Sequence, residues 1–319
     1  MLTEKIKDIG ENMTIDIKMI EQTAENALGA SIDNIRQIEN VTNNTVYAFE
    51  AADRRYIIKL YRSRDWPENG KIPFVYHTLS QNSIPHAELI AFSRENKNIP
   101  NGYLIEGAVR GVAADKIHFD RQQECKLYIK LAEQVSRIHV IPIRNFGDIG
   151  DGEADYDSIL SFFEEEFDER TSDLLEMKLF SESELMNMKA VFLDVLDQFN
   201  DLPPVLCHGD LSKKNIMVQE SGDITLIDWD DAMSYNWMAD VSRLTFWMKM
   251  NYSKEEYELF RNIFLEHYQT DKRKAEYSTF EKAFHLYIAL DSLVYFLSIG
   301  DKIMGRNIRN YLDSLSGQK

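Results

Sequence analysis

The sequence predicts an α+β protein with a small antiparallel sheet first and a larger, mostly helical part after it. Three observations predict this. Between Ile32 and Tyr61 the chain is rich in β-branched and aromatic residues, broken at "NVTNN" and "EAADRR" by turn-forming types, which gives three strands and two turns. Beyond "EGAVRG" apolar residues recur at helical spacing in segment after segment. Among those helices lies one β island, "NIMVQESGDITLIDW", a hairpin turned at Ser221-Gly222.

In chain order, "TIDIKMIEQTAENAL" (14–28) is an amphipathic helix opening on a capping threonine. After the three strands come a short helix around Pro73 to Gln81 and strands near Ala87–Phe92 and Gly102–Glu106. "ECKLYIKLAEQVSRIHVI" and "YDSILSFFEEEFDERTSDLLE" are amphipathic helices. In the second, Ile159, Phe163 and Phe167 line one face, and Glu164, Glu165, Asp168 and Glu169 crowd the other. Further helices fall at 182–199, 237–250, 254–268 and 275–298. This divides the chain into residues 1–106 and 107–319, joined through the segment near 105–111.

A chain of 319 residues with 44% hydrophobic and 11% aromatic content can bury a core in each part. No apolar run approaches the roughly 18 residues that span a bilayer, and the N-terminus lacks a secretory pattern. Two distant cysteines, Cys125 and Cys207, without CxxC spacing, fit a reducing cytoplasm better than a disulfide framework. Lysine plus arginine number 36 against 53 aspartate plus glutamate, a net charge of −17. Such a field disfavours nucleic acid and anionic membranes as partners and favours cationic small molecules. Acidity of this kind also serves solubility alone.

"LCHGDLSKKN" (206–215) and "LIDWDD" (226–231) carry the chemistry. Alone, each Asp or Asn reads as readily as a cap or turn former. Together they flank one hairpin, whose paired arms bring Asn215 and Asp228 to neighbouring strands. An amide oxygen beside a carboxylate is hard-oxygen ligation suited to Mg²⁺ shared with phosphate oxygens. Asp210, five residues before Asn215, can then accept the proton of an attacking hydroxyl during phosphoryl transfer. HExxH, GxSxG and Walker A motifs are absent, and "DIGDGEADYD" misses the calcium-loop register because Ile159 stands where the twelfth-position Glu belongs.

"HGDLSKKN" followed by "LIDWDD" resembles the HGD-x4-N and IDW-[DE] motifs of the aminoglycoside phosphotransferase and choline kinase superfamily, which has a bilobal protein-kinase-like fold. The resemblance extends over most of the chain. "NVTNNTVYAF" is similar to the family's nucleotide-covering loop, with Asn44 and Tyr47 on matching positions. "YIIKLYR" matches the strand bearing the phosphate-binding lysine, here Lys59, and "YLIEGAVRG" resembles the adenine-gripping hinge at Ile105 to Gly107. The resemblance implies ATP and Mg²⁺ as cofactors, Asp210 as catalytic base, Asn215 and Asp228 as metal ligands, and Lys59 on the α- and β-phosphates. His208 would organise the catalytic loop and Asp240 would brace it, while Trp229 packs. The family also has a helix glutamate paired with the lysine, for which Glu68 is the candidate. Unlike the family pattern, the nucleotide loop has no glycine to bring backbone N–H groups close to phosphate.

The acidic helix face, Asp230, Asp231 and Asp291 would make a negative rim for a cationic acceptor such as an aminoglycoside. A metabolite kinase of choline, homoserine or sugar type is the alternative. A nucleotide-binding pseudokinase or interaction protein is another.

Overall fold

A computed structural model describes residues 16–39, 44–270 and 272–316, the side chains of positions 170, 171 and 316 excepted. Residues 40–43, the first four of the expected nucleotide-covering loop, lie outside that range, as does Thr14, the expected cap of the first helix. The chain forms two compact units: Met1–Lys116 with Ile149–Gly152 and Lys214–Asp231, and the remainder.

The first unit opens with α1 (Ile17–Leu28), capped by Asp16, whose carboxylate accepts the Lys18 N–H at 3.0 Å. The strands are β1 (Asp33–Gln37), β2 (Thr45–Ala51), β3 (Arg54–Leu60), β4 (Leu89–Ser93) and β5 (Tyr103–Gly107). They form one antiparallel sheet in the order β1-β2-β3-β5-β4, so β3 is its central strand. Alternation along β3 turns Tyr56, Ile58 and Leu60 into a core shared with Ile20, Ala24, Phe49 and Ile105. The same alternation points Lys59 to the opposite face, where it is still 8% exposed. Helix α2 (Lys71–Gln81) carries no acidic residue in its sequence KIPFVYHTLSQ. Strand β6 (Val112–Ala113) and the hairpin β9 (Ile216–Val218) and β10 (Ile224–Leu226) make a second small sheet in this unit.

The second unit is helical: α3 (Arg121–Ile138), α4 (Ile159–Glu176), α5 (Glu182–Asp197), α6 (Trp237–Asn251), α7 (Lys254–His267), α8 (Tyr277–Ser298) and α9 (Lys302–Ser316). Reciprocal capping boxes start three of them, Asp120 with Gln123, Ser181 with Glu184, and Ser253 with Glu256. The apolar face of α4 is buried as its spacing requires, with Ile159, Phe163 and Phe167 at most 1% exposed. Phe163 meets Phe284 edge-on at 5.1 Å, and Phe192 stacks on Tyr287 at 5.3 Å. Each buried ring of this kind contributes about 1.5–3 kcal/mol through burial. A small sheet, β7 (Gly147–Asp148), β11 (Met233–Tyr235) and β8 (Val205–Cys207), leads the chain into the segment 208–213. No described helix is long and apolar enough to cross a membrane.

Candidate active site

Segment 208–213 leaves β8 and is held by a buried aspartate. Asp240 lies in the first turn of α6 and is 2% exposed. Its Oδ2 accepts the backbone N–H of His208 at 2.9 Å, and its Oδ1 accepts that of Gly209 at 2.9 Å. Gly209 has φ +79°, a conformation that a side chain would strain, and this turn presents its N–H to Asp240. His139, at the end of α3, shares Asp240 Oδ2 at 3.0 Å. Burial works against the Asp240 charge, but His139 and the His208 backbone prevail and hold its carboxyl below the ordinary range. The fully buried His208 accepts the Asp210 N–H on Nδ1 at 3.3 Å. The expected brace and loop organiser are therefore in contact with the loop, and Asp210 is fixed at its backbone.

The group His139, Cys207 and Asp240 has the chemistry of a metal site, its ligand atoms within 4.8 Å of one another. Those atoms already have protein partners. His139 Nδ1 bonds to the Tyr268 hydroxyl at 2.8 Å, and the Cys207 thiol faces the carbonyls of Tyr235 and Asn236. Burial pushes that thiol well up, away from the thiolate that a metal needs. The cluster is a brace.

In the first unit, the hairpin does what its register requires. Ile216 pairs with Leu226, and the Asn215 carbonyl accepts the Ile227 N–H at 3.0 Å, which sets Asn215 across from the residue before Asp228. Asn215 is 4% exposed, whereas the Asp228 carboxylate is 44% exposed. Asp228 has φ +65°, unusual for any residue but glycine and a mark of a backbone held by its surroundings. Trp229 is 1% exposed and donates to the Leu226 carbonyl at 3.3 Å, in the packing role expected of it.

Lys59 meets this hairpin. Its Nζ lies 2.5 Å from Asp228 Oδ1 and 2.8 Å from Asp230 Oδ2. Burial would push the ammonium down, yet Asp228 and Asp230 together hold it well above the ordinary lysine value. Asp230 also takes the Tyr61 hydroxyl at 3.1 Å and the Asn44 amide at 3.4 Å. Burial, and then Asp228, raise its carboxyl against the opposing pull of Lys59.

The structure corrects the expectations for Asp230, Glu68, Ile105 and Gly107 and shows where Asp231 and Asp291 lie. Asp230, expected on an acceptor rim, is 6% exposed and bonded to Lys59, because the turn Trp229–Asp231 folds it inward. Asp231 accepts the Trp66 indole N–H at 3.1 Å, in the same unit as Lys59. Glu68, expected to pair with Lys59, precedes α2 and forms an ion pair at 2.9 Å with Lys71, which is fully buried. Ile105 and Gly107, expected as a hinge, belong to β5 between β3 and β4. Ile105 is fully buried, and the Gly107 N–H is committed to Glu88 O at 2.8 Å. Asp291, on α8, pairs with Arg243 at 3.8 Å in the second unit.

The sequence did not mark Tyr61, Trp66 or His139, nor the pair of Tyr76 and Glu106, in which the tyrosine donates to a carboxylate that burial raises. Alternation along β3–Tyr61 was the one available signal, since it points Lys59 and Tyr61 to the same face.

A lysine from the central strand and two carboxylates from one hairpin converge, and a braced loop carries a further aspartate. The sequence model of the phosphotransferase enzyme family matches residues 34–277. The chain belongs to that family. It is accordingly a phosphotransferase acting on a hydroxyl group of a small molecule. Solved structures share the kinase-like fold. Aminoglycoside phosphotransferase APH(4)-Ia superposes with a TM-score of 0.70 at 18% identity, covering 95% of this chain and 100% of its own. Choline kinase LicA from Streptococcus pneumoniae gives 0.62 at 18%, covering 94% and 98%. The streptomycin–ATP complex of APH(2")-IIa gives 0.63 at 15%, covering 95% and 97%. No curated protein sequence matches the chain.

Proposed function

We propose that this phosphotransferase moves the γ-phosphoryl group of ATP, with Mg²⁺, to a hydroxyl of a small cationic acceptor such as an aminoglycoside. The observation that carries this reading is the bonding of Lys59 to Asp228 on the hairpin that also holds Asn215. Residues 1–106 would be the nucleotide-binding lobe, with the hairpin added, and 107–319 the catalytic and substrate lobe. Complexes of APH(4)-Ia with ADP or AMP-PNP and hygromycin B support the choice of ligands. A cytoplasmic location fits the two free cysteines.

Each residue then has a task. Lys59 binds the α- and β-phosphates through its ammonium, which its carboxylate partners keep protonated. Asp228 and Asn215 offer the hard oxygens that suit Mg²⁺ and would hold it; bound there, the ion supplies charge neutralisation on the phosphates. Asp210 accepts the proton of the acceptor hydroxyl at its carboxylate, and Asp240, through Gly209 and His208, keeps that loop in place. The expected nucleotide contacts of Asn44 and the acceptor contacts of Asp231 and Asp291 are retained as parts of this proposal.

The test is acceptor-dependent ADP release from Mg²⁺·ATP across aminoglycosides, macrolides, choline, homoserine and sugars, with wild type and Asp210→Ala. The variant should lose about 10²- to 10⁴-fold in turnover while still binding nucleotide. Equal, negligible rates in both proteins would leave a nucleotide-binding pseudokinase. The choline kinase relative favours a second reading, a metabolite kinase, and turnover confined to neutral or small metabolites would select it.

A further inference from the structure

Helix α2 has no carboxylate to offer Lys59. What it offers the sheet is Tyr76. Ile72, Val75 and Leu79 are fully buried and fix the helix, which packs on β4 and on the turn Trp229–Asp231. Tyr76 is 3% exposed, its ring meets His86 edge-on at 5.8 Å, and its hydroxyl donates to Glu106 Oε2 on β5. Burial pushes that hydroxyl well up and keeps it a neutral donor. The other oxygen of Glu106 accepts no hydrogen bond among the described residues.

The strand register sets Glu106 beside Lys59. On the paired strands β3 and β5, Lys59 lies opposite Leu104 and Ile57 opposite Glu106. Side chains two residues apart return to the same face, so Lys59 and Glu106 are diagonal neighbours. Their backbones are about 7–8 Å apart, within the span of two long side chains. Burial raises the Glu106 carboxyl, and Lys59 is the strongest pull in the other direction, ahead of the Tyr76 bond. Lys59 spends two of its three N–H donors on Asp228 and Asp230. Asp228 is also the carboxylate proposed for Mg²⁺, and an ammonium bonded to it competes with a second cation there.

We infer that Glu106, held by the Tyr76 hydroxyl, is a positioning residue that takes over from Asp228 as a partner of Lys59 when Asp228 binds the metal. Helix α2 then acts on the lysine through a tyrosine and a strand glutamate. The inference rests on the phosphotransferase reading, with Lys59 on the phosphates and Mg²⁺ on Asp228, and adds to it two residues that work through Lys59.

The experiment measures ADP affinity by calorimetry across free Mg²⁺ concentrations, for wild type, Glu106→Gln, Tyr76→Phe and the double variant. Adenosine binding and urea denaturation are followed beside it. Glutamine at 106 keeps the size and an acceptor for Tyr76, removes the charge, and leaves its amide NH2 toward Lys59. It should raise the Mg²⁺ concentration that half-saturates ADP binding by about 10- to 50-fold, the weight of one charge about 7 Å from an ammonium at the effective dielectric of such sites. Adenosine affinity should stay unchanged, and neither ADP affinity without Mg²⁺ nor stability should fall. Tyr76→Phe should shift the Mg²⁺ requirement the same way, several-fold, and the double variant no further than Glu106→Gln, since both act through one contact. An unchanged or lowered Mg²⁺ requirement overturns the inference, the lowered one being what removal of a negative charge near the phosphates gives by itself. Equal weakening of adenosine, or of ADP without Mg²⁺, also overturns it and marks the pair as purely structural. Failure of the phosphotransferase reading would show separately, as a wild type that binds no Mg²⁺·ATP or as ATP turnover indifferent to Asp210→Ala.

Discussion

Replacing Asp230 with asparagine separates two roles that the sequence "DWDD" leaves open. In the structure Asp230 is a buried partner of Lys59 at 2.8 Å, and α2 contributes no carboxylate of its own. If Asp228 holds Mg²⁺ as proposed, Asp230 is the remaining carboxylate bonded to Lys59 among the described residues. Asparagine has one acceptor oxygen where aspartate has two, so keeping the Tyr61 hydroxyl bond turns its amide NH2 toward the Lys59 ammonium and loses the charge-assisted bond there, about 1.5–3 kcal/mol. If that loss falls on the positioning of Lys59, Mg²⁺·ATP affinity should drop by about 10- to 100-fold. Fold stability should change far less, by about 1 kcal/mol or under, because the substitution also removes the repulsion between Asp230 and Asp228. Calorimetric titration of Mg²⁺·ATP, urea denaturation and acceptor KM are measured together. Unchanged nucleotide affinity with a raised acceptor KM would refute the assignment and return Asp230 to the acceptor rim.

Two further outcomes follow from contacts in the second unit. Lys213, at the end of segment 208–213, bonds to Glu124 at 2.7 Å and to the Tyr252 hydroxyl at 3.2 Å. Glu124→Gln should therefore cost about 1–3 kcal/mol in urea denaturation and lower kcat several-fold at constant nucleotide affinity; an unaltered kcat would show that the loop is held without this anchor. His285 is 2% exposed, bonded to Thr245 at 3.0 Å, and its pKa is lowered by burial from 6.5 to about 4. The unfolded chain thus takes up the proton first, so stability is whole above about pH 6.5 and falls by about 3 kcal/mol as the pH drops towards 4. His285→Gln should flatten that part of the pH–stability curve, and an unchanged slope would contradict it.

The parts of the fold legible in the sequence are those with a local cause. Alternation in "RRYIIKL", turn residues between strands and the hairpin at Ser221-Gly222 each fix an element within a dozen residues. The helix Lys302–Ser316 escaped notice. Gly300 and Asp301 break the apolar pattern and Gly305 weakens the first turn, although Ile308 and Leu312 are fully buried and the helix packs on α8. The β7-β11-β8 sheet was equally invisible, since strands two or three residues long carry no periodicity.

The same distinction explains the site. The placement of Asp210, Asn215 and Asp228 on one loop and hairpin was legible because it depends on spacing along the chain, and their proposed roles rest on that placement. The partner of Lys59 depends on which carboxylate reaches it across 171 positions of chain, and two adjacent acidic residues after a tryptophan look like a solvated turn. Burial reverses that reading. A carboxylate that is 6% exposed and held by a lysine, a tyrosine and an amide cannot serve an incoming cation without first leaving three partners. The proposed acceptor contacts therefore fall not to Asp230 but to Asp231 and Asp291. At Asp291 the electrostatics are mixed, because Arg243 stands beside it. A strongly negative overall charge attracts a cation to the surface, whereas the balance of charges within a few ångströms of Asp210 decides which acceptor is held long enough to react.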